Sequence, residues 1–166
     1  MNKVEVFFDY ICPYSMRGYE YLTELAPLFP QTEIVWRPCE SHPRPDTHGP
    51  HSDLCIQGMF CALEQGVDLW AYHNLMFEAA QKSPIDIEDI DTLAASVREL
   101  INPDYFRSSL QRGEYIERLN EANRYAFEQS GVWAVPSYRM NGKKLDSVKD
   151  IGVTKEQLKA FLLNHA

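Results

Sequence analysis

One stretch constrains the chain more than any other: a hydrophobic run over residues 4–8 that stops at Asp9 and is followed at once by Cys12-Pro13-Tyr14-Ser15. The run Val4-Glu5-Val6-Phe7-Phe8 is β-branched and aromatic, the signature of a buried strand. Pro13 suits the first position of a helix, where the missing N–H costs nothing. Tyr14, Gly18, Tyr21, Leu22, Leu25, Leu28 and Phe29 then recur at helical spacing and define one apolar face before Pro30. Ile34-Val35-Trp36, bounded by Pro38, reads as a second strand. A β-α-β opening of this length favours a parallel strand pair with a right-handed crossover. It also places Cys12 at a helix N-terminus, where unpaired N–H groups and the helix dipole favour a thiolate.

A Pro-rich stretch follows, from Cys39 through His42, His48 and His51 to Cys55, too broken for a regular element. Helical patterns then fill the chain to about residue 130. The first starts near Ser52, with Cys55, Ile56, Met59, Ala62 and Leu63 on one face. Asp68 caps the next, and Asp86 is read as the cap of a third. Asn102-Pro103 opens a fourth, Gly113 breaks it, and a fifth runs to Gly131. Strand character returns in Val132-Trp133-Ala134-Val135-Pro136 and continues through residues 137–140. Asn141-Gly142 signals a hairpin, and Thr154 with Gln157 a capping box for a final helix.

The order β-α-β, about five helices, then β-β-α defines an α/β chain: a thioredoxin-like fold with an inserted all-helical subdomain. The expected division is residues 1–50 and 131–166 for the sheet domain and 51–130 for the insertion. The formal net charge of -8 argues against nucleic acid or an anionic membrane as partner. No apolar run reaches membrane-span length, and no signal peptide precedes the first strand. The four cysteines form no C-x-x-C pair and no secreted disulfide framework. A reducing cytoplasmic setting with reduced thiols is the expectation.

Two motifs carry a family resemblance. Cys12-Pro13-Tyr14-Ser15 opens a helix, and Gly131-Val132-Trp133-Ala134-Val135-Pro136 precedes a hairpin. With the inserted helices, they resemble the DsbA-like thioredoxin-fold oxidoreductases. The branch is that of the FrnE-type proteins, 2-hydroxychromene-2-carboxylate isomerases and kappa-class glutathione transferases. The resemblance implies Cys12 as nucleophile, Pro13 and Tyr14 as the pair shaping the helix start, and Val135 and Pro136 as a cis-proline loop that meets bound substrate. Ser15 stands where redox members keep a resolving cysteine, so no internal disulfide can close within the motif. Cys12 can form a mixed disulfide, and an external thiol such as glutathione then releases it. Ser15 can stabilise the thiolate through its hydroxyl.

The implied activity is thiol–disulfide exchange on a disulfide-containing protein or a small thiol. No cofactor is required, and glutathione is a possible co-substrate. Alternatives are a glutathione-dependent transferase or isomerase and a non-catalytic thiol- or metal-binding module. A homodimer through the inserted helices is conceivable. Trp133, Trp36, Tyr10 and Tyr14 are candidates for an apolar rim around the thiol or for core packing. Arg17 and Arg37 are candidate anion partners or surface residues. His42, His48, His51 and Cys55 lack a regular metal-ligand frame, and the histidines read as loop residues. Cys55 and Cys61 read as core, whereas Cys39, just after the second strand, is a candidate alternative resolving thiol.

Overall fold

A computed structural model describes the whole chain, Met1–Ala166. It contains a four-stranded sheet of order β2-β1-β3-β4, built from β1 (Asn2–Phe8), β2 (Thr32–Pro38), β3 (Ser137–Met140) and β4 (Lys143–Asp146). β1 and β2 run parallel, with Val4 opposite Ile34 and Phe8 opposite Pro38. β3 lies antiparallel to β1 and to β4. The helices are α1 (Pro13–Leu25), α2 (Asp53–Glu64), α3 (Leu69–Phe77), α4 (Ile90–Ser96), α5 (Pro103–Gln111), α6 (Ile116–Arg124) and α7 (Lys155–His165). The expected α/β class and element order are those observed.

The chain forms two compact units: Met1–Ser41 with Arg124–Ala166, and His42–Asn123. Both boundaries differ from the expected division, and side-chain contacts explain why. In the Pro-rich loop, Arg44 donates to Asp53 and Glu88, and His51 bonds Glu88 at 3.0 Å and the Asp46 carbonyl at 2.7 Å. These bonds tie the loop to the start of α2 and to the turn before α4. At the other boundary, the helix after α6 widens into a π turn over Tyr125–Gln129. There Tyr125 stacks on Phe7 of β1, with centroids 5.9 Å apart, and its hydroxyl donates to Glu5.

Within the sheet unit, period-2 alternation sorts side chains onto two faces. Val4 and Ile34 meet Leu22 of α1 and Leu162 of α7 on one. On the other, Phe7 packs with Cys39, Ala126, Val132 and Val135. The hairpin turn places Asn141 at φ 48° and Gly142 at φ 77°, both left-handed as a type I′ turn requires. The Thr154–Gln157 capping box is formed in both directions.

Several local expectations shift. The inward face of α1 carries Tyr19 rather than Tyr21, and Leu28 is exposed. Leu63 likewise faces solvent, whereas residues 55–62 of α2 are all buried, including Gln57 and Gly58. The cap of α4 is Asp89, not Asp86: Asp89 accepts from the Thr92 N–H at 2.9 Å, while Asp86 accepts from the Glu88 N–H in the preceding turn. Residues 132–136 form no strand; the β3 ladder starts at Ser137. No helix is long and apolar enough to cross a membrane.

Candidate active site

β1 ends at Phe8, and the chain turns back so that the Cys12 N–H donates to the Asp9 carbonyl at 3.1 Å. Cys12 is the N-cap of α1, with extended backbone (φ -89°, ψ 120°), and Pro13 occupies the first turn. Its own carbonyl accepts the first helical bond, from the Met16 N–H at 3.1 Å. The residue is half-buried, and its Sγ donates to the Val135 carbonyl at 3.5 Å. The Val135–Pro136 peptide is cis. The two sequence motifs therefore meet through one contact between residues 123 positions apart.

Asp9 organises the turn. Its buried carboxylate accepts from the Ser41 N–H at 2.7 Å and from the Ile11 N–H at 3.4 Å. Its own N–H donates to Ser15 Oγ at 3.2 Å. Ser15 is thus a buried residue whose oxygen closes the turn from the helix side. In the sequence Asp9 reads only as a strand end. The signal for its larger part was a polar residue directly after an apolar run and before a helix start, where side-chain acceptors satisfy turn amides.

Gly18 sits beneath the proline. A Cβ there meets the Tyr138 hydroxyl at 2.6 Å and Pro136 Cγ at 3.4 Å. The bare glycine lets β3 and the Val135–Pro136 turn approach α1 this closely. Gly152, with φ 75°, does the same for Tyr14, whose ring lies 2.8 Å from its Cβ position. Arg17 lies over the Tyr14 ring at 5.2 Å.

The aromatic candidates divide. Trp133 is 66% exposed beside the Val135–Pro136 turn, and Tyr14 is half-buried. Tyr10 is completely buried and belongs to no solvent-facing rim; its ring packs edge-on against Phe8. Trp36 likewise packs edge-on against Phe8. Arg37 pairs with Glu5 at 2.7 Å and lies over the Tyr125 ring, so its charge is committed to the sheet face.

The other thiols are buried, and no disulfide joins any of the four cysteines. Burial pushes the Cys39 thiol well up, reinforced by nearby Asp9, Cys12 and Glu40. In the helical unit, the rings of His42 and His48 lie with centroids 4.1 Å apart, tilted by 39°, and no group of three or more potential metal ligands is present. The geometry assembles one half-buried thiol on a helix N-terminus, facing the backbone carbonyl of Val135.

Residues 3–70 match the DSBA-like thioredoxin domain. The chain has the DsbA-like thioredoxin fold. A probable DsbA oxidoreductase from Streptomyces coelicolor superposes with a TM-score of 0.81 at 14% identity, covering 100% of this chain and 92% of that one. A 2-hydroxychromene-2-carboxylate isomerase superposes with a TM-score of 0.71 at 18% identity, covering 98% and 92%. Among curated sequences, the uncharacterized protein YwbO of Bacillus subtilis (strain 168) is 23% identical over 171 residues, covering 81% of this chain and 84% of its own.

Proposed function

We propose that the protein is a monothiol thiol–disulfide oxidoreductase with Cys12 as its nucleophile. The observation that carries this reading is the position of Cys12. It caps α1 beside the first helical amides, is half-exposed, and its Sγ meets the Val135 carbonyl. Charge on sulfur is favoured at a helix N-terminus, and the thiolate is the attacking form.

In the reaction, Cys12 thiolate attacks one sulfur of a substrate disulfide. The substrate S–S bond breaks, a Cys12–substrate disulfide forms, and the other substrate sulfur leaves as a thiolate. Glutathione or a similar external thiol then attacks Cys12 Sγ, the second substrate sulfur leaves as a thiolate, and a second glutathione attacks the Cys12–glutathione disulfide, which frees the Cys12 thiolate and releases oxidised glutathione. Ser15 lies three residues on, on the same side of the helix. Its oxygen already accepts from Asp9, which leaves its O–H to donate toward the charged sulfur. Trp133, Tyr14 and the Val135-Pro136 turn form the surface on which a peptide or small disulfide rests. The protein supplies no resident cofactor in this scheme, and a reducing compartment such as the cytoplasm provides the thiol.

Insulin disulfide reduction driven by glutathione tests the reading, with the Cys12→Ser variant as control. Activity that disappears in the variant supports it. Conjugation of glutathione to a model electrophile, without any Cys12 adduct, points instead to a transferase or isomerase. Activity in neither assay points to a binding module.

A further inference from the structure

Behind Cys12 lies a second thiol. Cys12 packs against the buried cluster of Phe7, Cys39, Ala126, Val132 and Val135, so Cys39 belongs to the floor on which the nucleophile rests. The backbone fixes both cysteines to neighbouring atoms. The Cys39 N–H donates to the Phe8 carbonyl at 2.9 Å, and the Cys12 N–H donates to the next carbonyl in the chain, that of Asp9, at 3.1 Å. The Cys39 Sγ also lies on the Phe8 carbonyl, at 3.8 Å. The parallel register of β1 and β2, with Phe8 opposite Pro38, brings Cys39 to the level of the turn that carries the nucleophile.

We infer that Cys39 serves as the resolving thiol that Ser15 does not supply, closing a Cys12–Cys39 disulfide across the end of β1 and β2. The inference rests on Cys12 being the nucleophile proposed above. Once Cys12 holds a substrate in a mixed disulfide, Cys39 Sγ attacks Cys12 Sγ. The bond between Cys12 and the substrate breaks, and the substrate sulfur departs with the electron pair and takes up the proton lost by Cys39. The substrate disulfide has then been reduced to two thiols, and Cys12 and Cys39 have been oxidised to one disulfide. Two molecules of a small thiol such as glutathione restore both cysteines and leave as the oxidised dimer.

The order of events suits the environment of Cys39. In the reduced protein, burial and the adjacent Asp9, Cys12 and Glu40 all oppose its ionisation. In the mixed disulfide Cys12 bears no charge, so one of those oppositions is gone at the moment the attack is required. Attack within one chain also outruns attack by a dilute external thiol when the two sulfurs are held together. Disulfide closure needs Cα atoms within about 7 Å, so finding the bond also measures this approach.

The test uses the full chain. Reduced protein is treated with one equivalent of glutathione disulfide, quenched with acid at intervals, and analysed by intact mass and peptide mapping. The expected result is a one-glutathione adduct on Cys12 that decays to a species two hydrogens lighter than the reduced protein, with Cys12 and Cys39 peptides joined. Cys39→Ala is expected to stop at the adduct, with circular dichroism reporting that the variant is folded. If the adduct on the unsubstituted protein persists while Cys39 remains alkylatable after unfolding, the resolving role of Cys39 is overturned and the monothiol reading stands. If Cys12 forms no adduct, the nucleophile assignment falls, and this inference falls with it. Because the disulfide is mapped on the unsubstituted chain, the outcome does not depend on the variant folding.

Discussion

The thiol of Cys12 donates to the carbonyl of Val135 at 3.5 Å, joining the start of α1 to the turn that precedes β3. This contact, together with partial exposure, separates Cys12 from Cys39, Cys55 and Cys61, which are fully buried. Brief treatment of the folded protein with iodoacetamide is therefore expected to label Cys12 alone. The other three react only after denaturation, as peptide mass spectrometry shows. Cys12→Ser is expected to lower disulfide-exchange activity by at least about a hundredfold, since no other accessible nucleophile replaces it.

Ser15 has a structural part that is separable from chemistry. Removing its hydroxyl deletes the bond from the buried Asp9 N–H to Ser15 Oγ, a loss of about 1–3 kcal/mol. Ser15→Ala is expected to unfold at lower denaturant concentration with an unchanged slope. Ser15→Cys restores a C-x-x-C motif, and mild oxidation of that variant is expected to join Cys12 to the introduced thiol. Reaction with glutathione disulfide followed by peptide mapping reads that bond directly.

Gly18 is expected to resist even alanine. The added methyl meets the buried Tyr138 hydroxyl at 2.6 Å, and a fully buried tyrosine on β3 has nowhere to swing. Overpacking of this kind costs about 1–3 kcal/mol, which opposes the gain of about 1 kcal/mol from alanine in a helix. Gly18→Ala should be destabilised in denaturant melts. It should also lose exchange activity, because Pro136 lies on the same methyl.

Stability should depend on acid through His73. Its imidazole is completely buried in α3, and burial lowers its pKa to about 3 from 6.5. The unfolded chain therefore takes up this proton first as the pH falls. Stability from this residue is intact above about pH 6.5 and declines as the pH drops toward 3, by about 2 kcal/mol at pH 5. Denaturant melts at pH 7.5 and 5 should show that loss, and His73→Leu should remove this part of the pH dependence.

Trp133 is 66% exposed, so truncating it leaves the core alone. Trp133→Ala is expected to change stability by no more than about 0.5 kcal/mol. On the proposed substrate surface, it should raise KM for a peptide disulfide several-fold with little change in kcat. An unchanged KM would remove Trp133 from the substrate surface.

Much of the framework was legible because it is local. Residues 4–8, Cys12-Pro13, Asn102-Pro103, Asn141-Gly142 and Thr154 with Gln157 each specify their element through bonds to residues a few positions away. The same local grammar misplaced the cap of α4. Asp86 and Asp89 both offer a carboxylate near a helix start, and only the path of the chain decides which one receives the N–H. It also misplaces residues 132–136, which join no ladder: Val132 and Val135 are buried in a turn, while Trp133 is exposed.

The sequence by itself determined that a single cysteine would stand at the first helix of a thioredoxin-like chain with no cysteine three residues later. Tertiary structure alone decided what surrounds that cysteine. The Val135 carbonyl reaches it from the far end of the chain, Asp9 N–H turns Ser15 inward, and β2 delivers Cys39 into the floor beneath it. Those relationships depend on strand register and on packing between distant segments. Periodicity and capping, which act over a few residues, carry no information about them.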